Sequence, residues 1–176
     1  MTSKKNRTVF VLDTSAFLSG KPLDFQDVEL VTTIEIENEI RPGGRDFQSL
    51  QFLKEKGLIL KKSTNDSKKE IDDVSRRTGD FDRLSDFDKE ILALALDEKN
   101  RDNSVVILSD DYSIQNVASY LKIRFESISQ KGITKKLKWA SRCRGCGKKF
   151  KDNISVCPIC GSDTKKIVIK AEEIKE

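Results

Sequence analysis

The chain contains no histidine. That absence removes whole classes of mechanism: a Ser-His-Asp triad, a His-paired thiol, a His-ligated catalytic zinc and the paired histidines of metal-free RNA cleavage. Any catalyst built from this sequence must use carboxylates, Lys, Tyr or a metal ion. Cysteine is missing from the first 142 residues, so no disulfide framework holds that part together. Long apolar runs are missing too. Runs such as Ile91–Leu96 are far too short to span a bilayer. Residues 1–8 are polar and basic, with only four apolar residues between them and Asp13, and lack the hydrophobic stretch of a signal peptide. A cytoplasmic protein with no membrane partner is expected.

What is present divides in two. The 176 residues suffice for one α/β domain and one small module that needs a staple of its own. A 36% hydrophobic share with 35% charged residues is that of a soluble globular chain. The net charge of +4 conceals a division: residues 1–130 carry 20 Lys/Arg against 24 Asp/Glu, and residues 131–176 carry 13 against 5. The C-terminal part is the one suited to a polyanion.

Along the chain, Val9–Leu12 is an apolar, β-rich run of the kind buried on both faces of a parallel sheet, and Asp13-Thr14-Ser15 supplies helix-start residues. Further strands are expected at 29–32, 58–60, 105–108 and 123–125. Helices are expected from 32 to about Arg41, at 45–56, at 85–98 and at 111–121. Residues 61–83 read as an exposed helix with a mobile loop around Thr78-Gly79-Asp80. Strands alternating with helices at this spacing indicate βαβ units, hence an α/β fold with a three-layer parallel sheet. The expected organisation is a domain at 1–128, a basic linker at 129–141, a cysteine module at 142–166 and a charged, frayed tail at 167–176.

In such a sheet, sites form beyond the carboxyl ends of the strands. Asp13 follows the first strand, and Asp110 and Asp111 follow the fourth with only Ser109 between. Each also suits a helix N-cap. Asp88 shares a helix face with Ile91, Leu92 and Ala95, where an acid is costly unless compensated. Ser85 and Asp88 equally resemble a capping box with Asp in place of Glu. Glu35, Glu37 and Glu39 share one helix; at about 100° per residue, Glu37 lies near Ile40 and Glu39 near Ile36, and periodicity does not choose between them. Carboxylates gathered without histidine or thiolate suit a hard cation such as Mg²⁺ or Mn²⁺. Hydrolysis of a phosphodiester is the natural chemistry of such a site.

Residues 11–17 (Val-Leu-Asp-Thr-Ser-Ala-Phe), 38–40 (Asn-Glu-Ile), 84–88 (Leu-Ser-Asp-Phe-Asp) and 108–112 (Leu-Ser-Asp-Asp-Tyr) stand in the order used by PIN-domain nucleases. The resemblance runs over most of residues 8–126. It implies that Asp13, Glu39, Asp88 and the Asp110/Asp111 pair are the catalytic acids, with Asp13, Glu39, Asp88 and Asp111 on one or two Mg²⁺ or Mn²⁺ ions. It also makes Thr14 or Ser15, and Ser109, candidates to orient waters or a carboxylate. With a zinc ribbon following, and with the run Asp110–Val117, the chain resembles more narrowly the Nob family, the endoribonucleases that trim the 3′ end of small-subunit ribosomal RNA. Single-stranded precursor RNA, the pre-ribosomal particle and its assembly factors are the partners this implies.

Cys143-x-x-Cys146 and Cys157-x-x-Cys160 are ten residues apart, with Gly147 and Gly161 directly after each pair. Four thiolates at this spacing form a closed tetrahedral site for one structural zinc. The second pair also resembles the iron knuckle of rubredoxin, but the short spacing and basic surroundings favour zinc. Lys135, Lys136, Lys138, Arg142, Arg144, Lys148 and Lys149 are placed to neutralise phosphates. Trp139 either stacks on an unpaired base or packs the ribbon onto the first domain. Two rivals remain open at this point. One is an inactive zinc-ribbon RNA-binding or ribosome-assembly protein. The other, a phosphoacceptor domain, fits poorly: one kind wants Asp-x-Asp after its first strand, where this chain has Asp13-Thr14-Ser15, and the other wants its Asp pair there, whereas here the pair follows a late strand.

Overall fold

In the computed structural model, residues 7–19, 28–128 and 133–174 are described. The apolar runs form five strands: β1 (Thr8–Leu12), β2 (Glu29–Thr33), β3 (Ile59–Lys61), β4 (Ser104–Leu108) and β5 (Arg124–Glu126). All pair in parallel, in the order β3-β2-β1-β4-β5. Central β1 and β4 are buried from their second residue onward, as strands covered on both faces must be.

Among the described residues six helices connect them: α1 (Thr14–Leu18), α2 (Ile36–Glu39), α3 (Arg45–Glu55), α4 (Asn65–Thr78), α5 (Asp86–Asn100) and α6 (Tyr112–Tyr120). Right-handed crossovers put the early helices on one face of the sheet and the late ones on the other. Accordingly α1 packs with α3, and α4, α5 and α6 pack with one another. Helix α5 is apolar nearly all round and every residue from Ile91 to Leu96 is buried, the signature of a central helix with neighbours on all sides. Among the described residues no helix is long and apolar enough to cross a membrane.

Buried acids outside the sheet edge are fully partnered. Asp97 accepts from the Thr64 amide and from the hydroxyls of Thr64 and Ser67, each at 2.7 Å. Glu98 meets Lys61 at 3.1 Å and Arg101 at 2.6 Å. These groups hold the fold together.

Three expectations need correction. Helix α2 is one turn that ends at Glu39 rather than near Arg41, because Ile40 turns extended ahead of Pro42. The segment around Thr78–Asp80 is not a loose loop: Thr78 and Asp80 are each 1% exposed, and Gly79 caps α4 at φ 84°. A Cβ on Gly79 would lie 2.7 Å from that of Trp139, so glycine here permits both the left-handed cap and the close approach of a later strand.

The third correction concerns the linker and tail. Residues 129–132 and 175–176 lie outside the described residues, but Lys135–Cys143 is strand β6 and Thr164–Glu173 is strand β8. With β7 (Lys149–Phe150) they form an antiparallel sheet ordered β7-β6-β8. Composition had marked both segments as charged and irregular. Their charges are instead distributed across a ladder: Lys135 stands opposite Glu173 and Lys136 opposite Glu172, while Trp139 stands opposite Val168.

Candidate active site

The order of the sheet locates a site before any side chain is considered. From β1 the chain moves toward β2, and from β4 it moves the other way, toward β5, so the topological switch point lies between the neighbouring ends of β1 and β4. Asp13 follows β1 directly, and Ser109, Asp110 and Asp111 follow β4. Helix α5 runs back toward the start of β4, which sets its N-terminus, and Asp88 with it, at the same edge.

Asp13 is 5% exposed. Its Oδ1 accepts from the Thr14 amide at 2.7 Å, and its Oδ2 accepts from the hydroxyls of Ser15 at 2.9 Å and Ser109 at 2.7 Å. Asp88 Oδ2 accepts from the Ser85 amide at 2.7 Å, and the Ser85 hydroxyl accepts from the Asp88 amide at 3.1 Å, completing a capping box. Asp111 caps α6, its Oδ1 accepting from Ser113 at 2.5 Å and Ile114 at 3.2 Å. The capping that the sequence suggested for these residues is present at all three. Three helix N-termini converge on the same edge, each holding an aspartate in place through its amides.

The three carboxylates also sense one another. Burial pushes Asp13 above the usual carboxylate range, and the charge of Asp111 adds to this, against the hydrogen bonds from Ser109, Ser15 and Thr14. Burial likewise raises Asp88, helped by the charges of Asp13 and Asp111 and opposed by Ser85. Beside them Thr14 Oγ1 is buried without a hydrogen-bond partner. Mutually repelling carboxylates and a buried hydroxyl without a protein partner fit a hydrated divalent cation, which neutralises the former and offers a water to the latter.

The remaining two acids stand differently. Glu39 is exposed on α2, and among the described residues its carboxylate has no hydrogen bond or ion pair. Its neighbours are engaged: Glu37 with Lys54 and Glu35 with the Thr33 hydroxyl. Asp110 is turned to the main chain, its Oδ1 accepting from the Ile128 amide at 2.8 Å, so it ties the segment after β5 to the end of β4.

At the other module, the four cysteine sulfurs lie within 4.8 Å of one another, and none forms a disulfide. Among the described residues this is the one group of three or more His, Cys, Asp or Glu whose ligand atoms lie close enough together to hold an ion. A tetrahedral zinc with Zn–S of about 2.3 Å sets its sulfurs about 3.8 Å apart; the pairs Cys143/Cys160 and Cys146/Cys157 are at 3.4 and 3.7 Å. The Gly145 and Cys146 amides donate to Cys143 Sγ at 3.3 Å, and hydrogen bonds with Ser162 pull the Cys160 thiol down to about 6. The site fits one zinc ion with its second shell in place.

The expected RNA-binding residues are spread over the three-stranded sheet. Arg142 stands between Lys149 and Lys165 in register, and Lys138 opposite Lys170, so like charges sit directly opposite on one face. Lys170 is compensated by Glu172, while the row Lys149, Arg142, Lys165 is unfavourable without an anion. Lys135, Arg144 and Lys148 are exposed, but Lys136 is engaged, 3.2 Å from Glu172 and over the Tyr120 ring. Trp139 packs: Gly79 abuts it, and the Arg83 guanidinium lies 5.1 Å from its ring centroid.

A pair of residues that the sequence did not single out joins the two modules. Asn116 Nδ2 donates to Asp80 at 2.6 Å and to the Leu137 carbonyl at 2.9 Å, while its Oδ1 accepts from the Leu137 amide at 2.6 Å. Nothing in the local pattern of an amide on a helix or an acid in a polar stretch marks such a partnership, because it exists only across the fold.

Comparison with known proteins agrees with this geometry. A family model described as the PIN domain of ribonuclease matches residues 10–97, a span that contains Asp13, Glu39 and Asp88 and stops before Asp110. The chain is 39% identical over 155 residues to endoribonuclease Nob1 of Archaeoglobus fulgidus, covering 88% of each chain. It is 35% identical over 161 residues to ribonuclease VapC1 of Thermoplasma acidophilum, covering 90% of this chain and 77% of that one. To endoribonuclease Nob1 of Pyrococcus abyssi it is 32% identical over 159 residues, 89% of this chain and 92% of that one.

Proposed function

Because the chain belongs to the PIN-domain ribonucleases, and among them to the Nob family of endoribonucleases, we propose that it is a Mg²⁺- or Mn²⁺-dependent, cytoplasmic endoribonuclease that cuts single-stranded precursor RNA at the 3′ end of small-subunit ribosomal RNA. The observation that carries this reading is the convergence of Asp13, Asp88 and Asp111 at the switch point of the parallel sheet.

Asp13, Asp88 and Asp111 would hold the divalent ion, and Glu39, exposed on α2, is the fourth carboxylate that the family resemblance supplies. A cation bound there supplies positive charge to the phosphate under attack and acidity to a bound water. The protein's own contribution is orientation. Ser15 and Ser109 fix both the position and the ionised form of Asp13, Ser85 does the same for Asp88, and the first amides of α6 aim Asp111. Asp110 holds the backbone of this edge and does not touch the ion. Converging helix N-termini favour the phosphate that approaches. The zinc-held sheet supplies a phosphate track through Arg142, Lys149, Lys165 and Lys138, on an RNA that the pre-ribosomal particle and its assembly factors present.

The test is cleavage of a precursor RNA spanning the small-subunit rRNA 3′ end by the wild type and by Asp88→Asn, in Mn²⁺, in Mg²⁺ and without divalent ion. Metal-dependent cutting at one site, lost in the variant, is the expected result. Tight binding with no scission under every condition would leave an RNA-binding protein in place of an enzyme.

A further inference from the structure

The loop that joins α4 to α5 carries Phe81, whose ring draws two cations that the chemistry above does not use. The Arg76 guanidinium, from the last turn of α4, lies 3.7 Å from the ring centroid, and the Lys89 ammonium, from the start of α5, lies 3.8 Å from it. The two charge centres therefore stand no farther apart than the sum of those distances. A ring attracts each cation, but it does not cancel the repulsion between them. Nor do the acids nearby. Among the described residues Arg76 forms no ion pair, and the carboxylate paired with Lys89 is Asp86, at 4.0 Å on a fully exposed side chain, where a pair contributes little. Asp80, Asp82 and Asp88 are engaged by Asn116, Asn153 and the Ser85 amide in turn. Lys89 also sits near the N-terminus of α5, the end at which the helix dipole disfavours a cation. The arrangement is held in place nonetheless. The amides of Asp80 and Phe81 both donate to the Ser75 carbonyl, at 2.9 and 3.2 Å, which anchors the backbone under the ring to the end of α4.

Resting on the nuclease reading for its ligand, we propose that Arg76 and Lys89, set on Phe81, form an anion site that holds one backbone phosphate of the substrate RNA next to the scissile one. Two charge-assisted bonds of about 2.8 Å each, to different oxygens of one phosphate, span a separation of this size. The phosphate in turn relieves the repulsion that the protein leaves unpaired. Lys89 directly follows Asp88, and successive helix residues point about 100° apart. It therefore addresses not the phosphate over the clustered aspartates but a neighbour of it. A neighbour held there sets which linkage reaches the cation. Because the contact is to the backbone, it positions the strand without reading its sequence.

The test uses the full chain with Asp13→Asn, which keeps the RNA intact, and a short single-stranded RNA across the small-subunit 3′ junction. A matching set of RNAs carries one neutral methylphosphonate linkage each. Binding is measured over a range of salt with and without the pair of changes Arg76→Gln and Lys89→Gln, beside melting temperature and zinc content. The expected result is that one neutral linkage, next to the one that is cut, weakens binding about tenfold and lowers the salt slope by about one. In the double variant that linkage should carry no further penalty, whereas Arg76→Lys with Lys89→Arg, which keeps both charges, should restore it. A penalty spread evenly over all linkages, a penalty that survives in the double variant, or a double variant that loses thermal stability while keeping the full salt slope would overturn the proposal. Cleavage of the unmodified RNA by the wild type is scored separately: no cutting with the linkage penalty intact sinks the nuclease reading and keeps the anion site, and cutting without the penalty does the reverse.

Discussion

Ser109 Oγ donates to Asp13 Oδ2 at 2.7 Å and accepts from the Asp111 amide at 3.0 Å, so one buried hydroxyl joins the ends of β1 and β4 and two of the three clustered aspartates. Residues 96 positions apart in sequence thereby share one hydrogen-bond network. Ser109→Ala deletes the donor that keeps Asp13 both oriented and ionised. Loss of such an outer-shell partner costs about 10- to 100-fold in metal affinity or activity. The expected outcome is a cleavage rate lower by that factor at saturating RNA, with RNA affinity unchanged. Equal rates for variant and wild type would show that Asp13 does not depend on this bond.

The raised pKa values of Asp13 and Asp88 link metal to stability. Both lie above the ordinary aspartate value of 3.8, raised first by burial and further by neighbouring aspartate charge, against the hydrogen bonds each accepts. Without a cation, their protonation stabilises the fold fully below 3.8, and that contribution is lost as the pH rises through the raised values. Once ionised, both stand against their surroundings, which a divalent cation relieves. Mn²⁺ at 100 times its Kd should then add about 2.7 kcal/mol, a rise of a few degrees in the melting temperature of the first domain. In acid, where both carboxyls hold their protons, the increment should vanish, and cleavage should fall over the same interval. A Mn²⁺ increment of the same size in acid would remove these aspartates from the binding site.

How far the sequence could be read follows from where each interaction closes. The parallel sheet was legible because buried strands write themselves as continuous apolar runs, and the helix-start positions of Asp13, Asp88 and Asp111 because strand ends and helix starts have local marks. The zinc knuckles were legible because their ligands are close in sequence. Residues 135–141 and 167–173 were read as linker and tail, since lysines and glutamates dominate them and the strand that pairs with each lies far along the chain. Asp80 was read as part of a loop because its partner Asn116 lies 36 residues away. Charge density was the dominant local feature of these segments, and it says nothing about pairing.

Removal of zinc tests how independent the ribbon is. The four sulfurs hold the two knuckles and the end of β6 together, and the segment has few buried apolar residues besides Ala140, Cys143 and Cys157. Chelation should expose residues 143–160 to protease while the first domain melts as before. Unchanged resistance of that segment, with zinc shown to be gone, would mean that the strands hold without their staple.

The junction itself rests on Asn116, whose amide satisfies both main-chain groups of Leu137 and the buried Asp80. Asn116→Ala strands all three, and each buried polar group left without a partner costs about 1–3 kcal/mol. Part of that cost is recovered if the strand lifts and lets water in. The expected signature is therefore a modest fall in thermal stability with a large acceleration of amide exchange at Leu137, while the zinc remains bound. Gly79→Ala should weaken the same junction by a different route, because its Cβ would press on Trp139 and the residue must keep a φ of 84°. If these contacts align the ribbon with the carboxylate edge, both variants cut a minimal single-stranded RNA at the wild-type rate but lose their advantage on a substrate long enough to reach the basic row at Arg142, Lys149 and Lys165. Equal losses on short and long RNA would instead trace the effect to the first domain's own stability.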